Sequence, residues 1–432
     1  MLRLVRLEPE ERRPFLWGFA AFFLLFFGWY TVRPIREAMG IQRGAGDLPW
    51  LMLATLALTF ITNPLLGRLV TRWPRALLVR RVYRFLAWNL VGFHLLLVLA
   101  PLSDEVRVWL GFGLYSWVSV FSLLIGSLLW SLLNEVFGAE AGRRLFGPLA
   151  AACSLGGLAG ASLTGSVVGG MDQPLHLLLL VAVVLEVAAR CARQVARTGG
   201  ALASARSAPA DGEGAAPIEL GGSAWTAGLR AVLGSPYLCG IGGYLLGYTI
   251  IGTWAYFWQG MVVDAMEQDL GRDVQTFAWI DALVNATSLV LQLAAVDRVV
   301  RKIGVGWTLA TVPLVYAGAF GLLVAVPTVQ VVAAFQVVRR SLNYGLVKPA
   351  REMLFGVLSR RETYLAKNLL DLFVYRGGDA LGAATWQLLT GTLALGLGGL
   401  AVVAAPVSLA WAALGPWLGR RYRALQGARK SR

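Results

Sequence analysis

Histidine and cysteine are scarce, with two of the first and three of the second in 432 residues. His94 and His176 stand at unrelated positions in apolar surroundings, with no neighbouring ligand at metal-binding spacing. Neither a metal centre nor a histidine base is expected from them. Cys153, Cys191 and Cys239 lie in or beside apolar runs without paired spacing, which leaves them as packing thiols and excludes a disulfide framework. No Gly-x-x-x-x-Gly-Lys-Ser/Thr loop occurs, so ATP-driven chemistry is not expected, no catalytic constellation emerges, and no cofactor is called for. A cleavable leader is not expected either: Arg12, Arg13 and Pro14 run directly into an apolar stretch with no small-residue cleavage site, the pattern of a retained first helix. Acids are the last shortage, 24 against 39 lysines and arginines.

Apolar residues are what the chain has in quantity. They make up 57% of it, the mean hydropathy is +0.63, and stretches of about 20 apolar residues recur from end to end. This is the composition of an all-α polytopic membrane protein, whose obligatory partner is the lipid bilayer. Spans are expected near residues 15–38, 48–68, 82–101, 106–137, 145–169 and 174–195, then near 237–263, 275–299, 304–326, 328–358, 363–393 and 396–418. Twelve helices then fall into two six-helix bundles, residues 1–195 and 231–419. A linker over 196–230 joins them, rich in Ala, Gly and Ser from Thr198 to Ser223 and expected to be flexible, and a basic tail follows at 420–432. With the N-terminus cytoplasmic, most basic residues fall at inner loops and helix ends, and only Arg43, Arg107 and Arg272 fall outside. Both termini and the linker are therefore expected in the cytoplasm of a bacterial-type inner membrane. The net charge of +15 is then topology, which leaves a nucleic-acid partner little to explain. No obligatory protein partner is evident.

The tenth stretch carries more charge than a membrane helix should. Gln336, Arg339, Arg340, Asn343, Tyr344, Lys348, Arg351 and Glu352 fall mostly on one half of a helix stepped at about 100° per residue, opposite Val331, Phe335, Val338, Leu342 and Leu346. Each cation near a bilayer centre costs about 2.5 to 3.5 kcal/mol on insertion scales, so a polar cavity or buried partners are implied. Inter-helix salt bridges are one answer. Glu352 is the only acid on the stretch, which favours an anionic ligand as the other.

Internal similarity points to a repeat. Gly67 to Arg75 after the second span and Asp297 to Lys302 after the eighth resemble the basic loop of the major facilitator superfamily, with Thr71 and Pro74 as departures. Asn134-Glu135-Val-Phe137-Gly138 before Arg143 and Arg144 matches Arg351-Glu352-Met-Leu-Phe355-Gly356 before Arg360 and Arg361. The run from Tyr344 through Asp379, YGLVKPAREMLFGVLSRRETYLAKNLLDLFVYRGGD, resembles the signature of the bacterial and plastidic ATP/ADP translocases and their free-living relatives. The first helix ends in Arg33-Pro34-Ile35-Arg36-Glu37, similar to that family's Arg-Asp-Thr-Lys-Asp, which places Arg36 where translocases use a required lysine. Ser235 to Leu238 and Thr253 to Phe257 resemble the free-living subgroup.

The resemblance implies a major facilitator-type fold in which the first, fourth, seventh and tenth helices line a path. It also implies a nucleotide or other organic phosphate as small-molecule cargo, exchanged by ATP:ADP-type antiport. Arginine's planar fork suits phosphate, so Arg33, Arg36, Arg340, Lys348, Arg351 and Arg376 are the expected substrate-binding cations. Arg36 and Arg351 have no same-helix partner sufficient to neutralise their neighbours. Tyr344 and Tyr256 are candidates to stack a base, although tyrosine and tryptophan, with Trp254 and Trp258 beside Tyr256, are also ordinary packing residues in membrane helices. On the eleventh stretch Lys367, Asp371, Tyr375 and Asp379 share one face, with Lys367 and Asp371 a turn apart and Arg376 three residues from Asp379. Lys367, Asp371 and Asp379, together with Glu37, Glu135 and Glu352, are expected to act as gating or salt-bridge residues. Asp281, Asn285 and Gln292 on the eighth stretch are open between packing, a proton site and ligand contact. The alternatives are transport of another anion or amphipathic solute, or a non-transporting scaffold or membrane enzyme.

Overall fold

The structure, a computed structural model, describes residues 7–207, 222–266, 269–294, 296–326, 328–370 and 374–430. Helix accounts for nearly all of it, with no strand among the described residues. A helix satisfies its own backbone groups, which lipid cannot do for it. In order the helices are α1 (Arg12–Gly40), α2 (Leu48–Arg72), α3 (Arg75–Leu99), α4 (Asp104–Gly138), α5 (Arg144–Gly170), α6 (Pro174–Gly200), α7 (Gly222–Leu233), α8 (Pro236–Asp264), α9 (Leu270–Ala294), α10 (Arg298–Ala325), α11 (residues 329–354), α12 (Arg360–Leu369), α13 (Tyr375–Gln387) and α14 (Leu397–Lys430).

Their ends follow local chemistry. Ser103, Ser235 and Thr328 each accept a hydrogen bond from the backbone N–H three residues on, which caps α4, α8 and α11. Ser359 and Glu362 form a reciprocal capping box at the start of α12. Both backbone and hydroxyl of Ser359 donate to the Glu362 carboxylate, which holds its pKa below the ordinary value. Between α4 and α5 the chain breaks at Gly138, where φ is 63°, a conformation that glycine adopts without strain.

Ten described helices are long and apolar enough to cross a membrane: α1 to α6, α8 to α10 and α14. The remaining two of the twelve expected spans are α11 and the α12–α13 stretch. They are helical but carry the charges that lower their hydropathy, and residues 371–373 between α12 and α13 lie outside the described set. The expected linker also differs. Beyond its apolar span α6 continues as helix past Gly200 through Ser207, where Ala201, Ala203 and Ala205 favour it, and helix is next described from Gly222; residues 208–221 lie outside the described set.

Two compact units result. The first comprises Met1–Asp47, Ala54–Gly214 and Glu267–Ala286. In it α1 is the central rod. Gly156 and Gly160 of α5 lie so close to the backbones of Phe23 and Phe27 that a Cβ at either position would overlap a carbonyl oxygen. Phe22 packs on Trp130 of α4 at 4.6 Å, and Gly28 sits against Val181 of α6. The first part of α9 joins this unit, with Ala282 packed on Tyr30 and Ala161, and Gln275 Nε2 donating to the Gly165 carbonyl at 2.9 Å.

The second unit comprises Leu48–Leu53, Ala215–Met266 and Thr287–Arg432. There α8 meets α13 where Gly378 and Gly382 admit Thr249 and Thr253, so the small residues at this seam permit close helix approach. Gly306 of α10 meets Gly415 and Gly419 of α14 backbone to backbone. Tyr244, Tyr316 and Trp411 fill the space between α8, α10 and α14, with ring centroids 5.5 and 5.6 Å apart.

Candidate functional site

Each unit holds a charged centre. In the first it lies at the last turns of α1, where Pro34 leaves the helix otherwise intact. Arg33 Nη1 donates to Asp281 Oδ1 of α9 at 2.7 Å, and the side chain of Asp281 is only 3% exposed. Glu37 Oε1 lies 3.5 Å from both Arg33 Nε and Arg36 Nη1. Arg36 also rests over the Tyr115 ring at 4.4 Å. Asn285 Nδ2, one turn beyond Asp281, donates to the Asp281 carbonyl at 2.8 Å. In the described contacts, two arginines therefore face two carboxylates. Sequence reasoning named Arg33, Arg36 and Glu37 but left Asp281 open, because its partner lies 248 positions away. It also gave Arg36 no adequate same-helix partner, whereas Glu37 reaches it.

Other residues of this unit stand apart from that centre. Glu135 pairs with Arg75 at 3.3 Å, both half-exposed, beside a cavity of about 860 Å³ lined by Trp73, Trp130 and Asn134. The two histidines, unrelated in sequence, are neighbours in the fold: their rings are 5.1 Å apart, and His94 Nδ1 lies 3.1 Å from the Leu175 carbonyl. No third residue joins them in a metal-binding group among the described residues.

The second unit's centre runs along α11. Val329–Leu342 and Lys348–Leu354 are α-helical, and Asn343–Val347 between them is a π-turn. One residue more than an α-turn requires is accommodated there, so the face calculated from uniform 100° steps does not continue unchanged past Asn343. Arg339 Nε donates to Gln336 Oε1 at 2.6 Å and Nη1 to the Tyr316 hydroxyl at 2.6 Å. Gln336 is itself fixed by donating to the Ala255 carbonyl at 3.2 Å. Asn343 Nδ2 donates to the Tyr248 hydroxyl at 2.9 Å, and the Tyr248 and Tyr375 rings lie 5.9 Å apart. Tyr375 lies within electrostatic reach of Arg351, Tyr344 and Asp379.

Arg340 is buried near Tyr316, Arg351 is half-buried, and Lys348 and Tyr344 are exposed. Among the described residues, no carboxylate lies within ion-pair distance of Arg339, Lys348 or Arg351. Glu352 is engaged by Lys367, whose Nζ donates to it at 2.5 Å. Lys367 thus pairs across α11 and α12; Asp371, its expected neighbour, lies outside the described residues. Arg376 Nη1 stands 3.7 Å from Asp379 Oδ2. On α8, Tyr256 packs beside Phe257 at 5.7 Å, Trp254 Nε1 donates to the Gly382 carbonyl at 3.1 Å, and Trp258 is buried on Phe320. Trp254 and Trp258 are packing residues. The tyrosines that do meet the α11 network, Tyr248 and Tyr316, carried no distinguishing signal in sequence, since each sits in an apolar span like any interfacial aromatic.

Among known proteins, no family model matches the chain and no curated relative matches it, so the translocase resemblance is not supported by either. Solved structures do match. A mutant of the nucleoside transporter NupG aligns over 95% of this chain and 99% of its own, with a TM-score of 0.61 and 13% identity. A mutant of the peptide transporter POT aligns over 93% and 95%, with a TM-score of 0.62 and 12% identity. At such identities the likeness shows the fold alone: this chain shares the all-α, multi-helix membrane architecture of these two proteins.

Proposed function

We propose that the chain is a secondary transporter that carries an anionic organic phosphate by alternating access, with nucleotide exchange of the ATP/ADP type as its leading cargo. One observation supports this above the rest. Along α11, Arg339, Lys348 and Arg351 have no described carboxylate partner, and tyrosine hydroxyls, tyrosine rings and an amide stand among them instead. Such a strip suits a polyphosphate, which needs several donors at once, and offers aromatic surface to a base. In this reading Arg351, Lys348 and Arg340 bind phosphate oxygens and Tyr344 contacts the base, with Tyr256 and Arg376 as further candidates. Arg33 and Arg36, being neutralised by Asp281 and Glu37, meet the anion only when that network opens.

Glu352 with Lys367, Glu135 with Arg75, and Asp379 with Arg376 are ion pairs of the kind that form and break as a carrier changes state. The protein sits in a bacterial-type inner membrane with both termini cytoplasmic, as the bias of basic residues favours. A screen in reconstituted vesicles tests the cargo. Vesicles preloaded with unlabelled nucleotide should take up labelled ATP or ADP by counter-exchange, and sugar phosphates more slowly. Uptake of neutral or cationic amphipathic solutes without any anion exchange would overturn the reading.

A further inference from the structure

Helices α3 and α6 of the first unit pack along each other and present an outward face divided in two. At one end it is basic. Arg84 clamps Glu186 with two parallel hydrogen bonds, Nε to Oε2 and Nη2 to Oε1, both 2.8 Å, and Arg190 Nε donates to Oε1 at 3.0 Å. Glu186 is the only acid on either helix, and both of its oxygens are occupied. Among the described contacts it accepts nothing from Arg193 and Arg197, which follow Arg190 at helical spacing and are likewise exposed, nor from Arg81 one turn before Arg84. These five arginines of the two helices thus stand with one carboxylate. At the other end the face is apolar: Phe85 and Trp88 of α3 are 57% and 73% exposed, and Val183 of α6 is 62% exposed.

We propose that this face is a binding site for an anionic phospholipid. Its phosphodiester lies among Arg190, Arg193 and Arg197, and its acyl chains run over Phe85, Trp88 and Val183. Three physical points carry this. A bias of basic residues toward one side of the membrane explains arginines at helix ends, but not a bidentate arginine–carboxylate pair about 14 Å along α3 from its first residue. Placed there on an outward surface, Glu186 neutralises part of the arginine charge and fixes the orientation of Arg84 and Arg190, while the excess remains positive. Free phosphate would satisfy that excess but has no use for the adjoining apolar strip, whereas a lipid matches charge and apolar surface in the same order along the helices.

The test uses the purified full chain, with phosphatidylglycerol and phosphatidylcholine as probes and native mass spectrometry and thermal unfolding as readouts. The wild type should retain phosphatidylglycerol through delipidation and unfold at a higher temperature with it than with phosphatidylcholine. The triple variant Arg190→Gln, Arg193→Gln, Arg197→Gln should lose on the order of tenfold or more in phosphatidylglycerol affinity. Its unfolding in phosphatidylcholine reports whether it folds. If it does not, Arg193→Gln alone, at an exposed position outside the Glu186 clamp, should still lose several-fold. Equal retention of both lipids by the wild type, or unchanged phosphatidylglycerol retention by a folded variant, overturns the proposal. So does displacement of the lipid by millimolar inorganic phosphate, which would make this a free-anion site.

Discussion

The charged end of α1 and the charged length of α11 meet the same cost, cations inside a membrane helix, in different ways. At α1 the answer is opposite charge: Asp281 and Glu37 lie against Arg33 and Arg36 and balance them. Along α11 the answer is neutral dipoles: Arg339 rests on a phenol and a carboxamide. Dipoles orient and partly solvate a cation without cancelling it. Among the described contacts, the cations of the first centre meet carboxylates, whereas Arg339, Lys348 and Arg351 of the second meet none. On the proposed reading the two serve different ends, since a neutralised cluster has little affinity left for an anion, while neutralisation lowers the cost of holding cations inside the membrane.

The largest expected effect tests the first half of that contrast. Asp281→Asn or Arg33→Gln breaks the shortest ion pair of this buried cluster, and breaking a buried pair costs up to about 3 to 5 kcal/mol. Folded yield and unfolding temperature in detergent should fall for both. The double exchange Arg33→Asp with Asp281→Arg should recover part of the loss; single variants as stable as wild type would mean the α1 centre is not held by charge.

Next comes Arg351→Gln, expected to leave folding intact and weaken anion binding by about 1.5 to 3 kcal/mol, roughly tenfold to more than a hundredfold. Arg351→Lys should fall between, since it keeps the charge but loses the planar fork. Direct binding and exchange assays read both. Equal losses for neutral and anionic solutes would make Arg351 structural and remove the contrast.

A smaller change is expected from Tyr316→Phe. It deletes the phenol that accepts from the partly buried Arg339, at about 1 kcal/mol of stability. If Arg339 finds another acceptor, the variant will unfold like wild type and the dipole account of α11 weakens. Smallest of all is Lys367→Gln. Its pair with Glu352 is well exposed, and such pairs contribute about 0 to 1 kcal/mol, so unfolding should barely move. A changed exchange rate at unchanged stability would identify the pair as a gate.

Sequence made the membrane class, the helical spans and the cationic character of α11 legible, because each is written in local composition and period. Arg376 and Asp379, three residues apart, could be read as neighbours for the same reason. Contacts between distant helices could not. Arg33 with Asp281 and His94 with His176 are products of packing, and nothing in the local pattern at either position names the other. The contact of Lys367 with Glu352 was not legible either: the break between α11 and α12 brings them together, while Asp371, the partner expected one turn away, lies outside the described residues. The π-turn was invisible too, since a hydrophobic period measured over a few turns absorbs one surplus residue without losing its face.

That surplus residue bears on how such a helix changes over time. A π-turn is an α-helix with an insertion that the chain has tolerated. Deleting one residue between Asn343 and Val347 would return the segment to ordinary α-helix and swing Lys348 and Arg351 by about 100° relative to Arg339 and Arg340. The cations would keep their chemistry and point elsewhere. Length, as well as residue identity, is then a variable by which descendants of this chain can re-aim their charge, and a one-residue gap in this segment of a related protein marks a change in where these cations point.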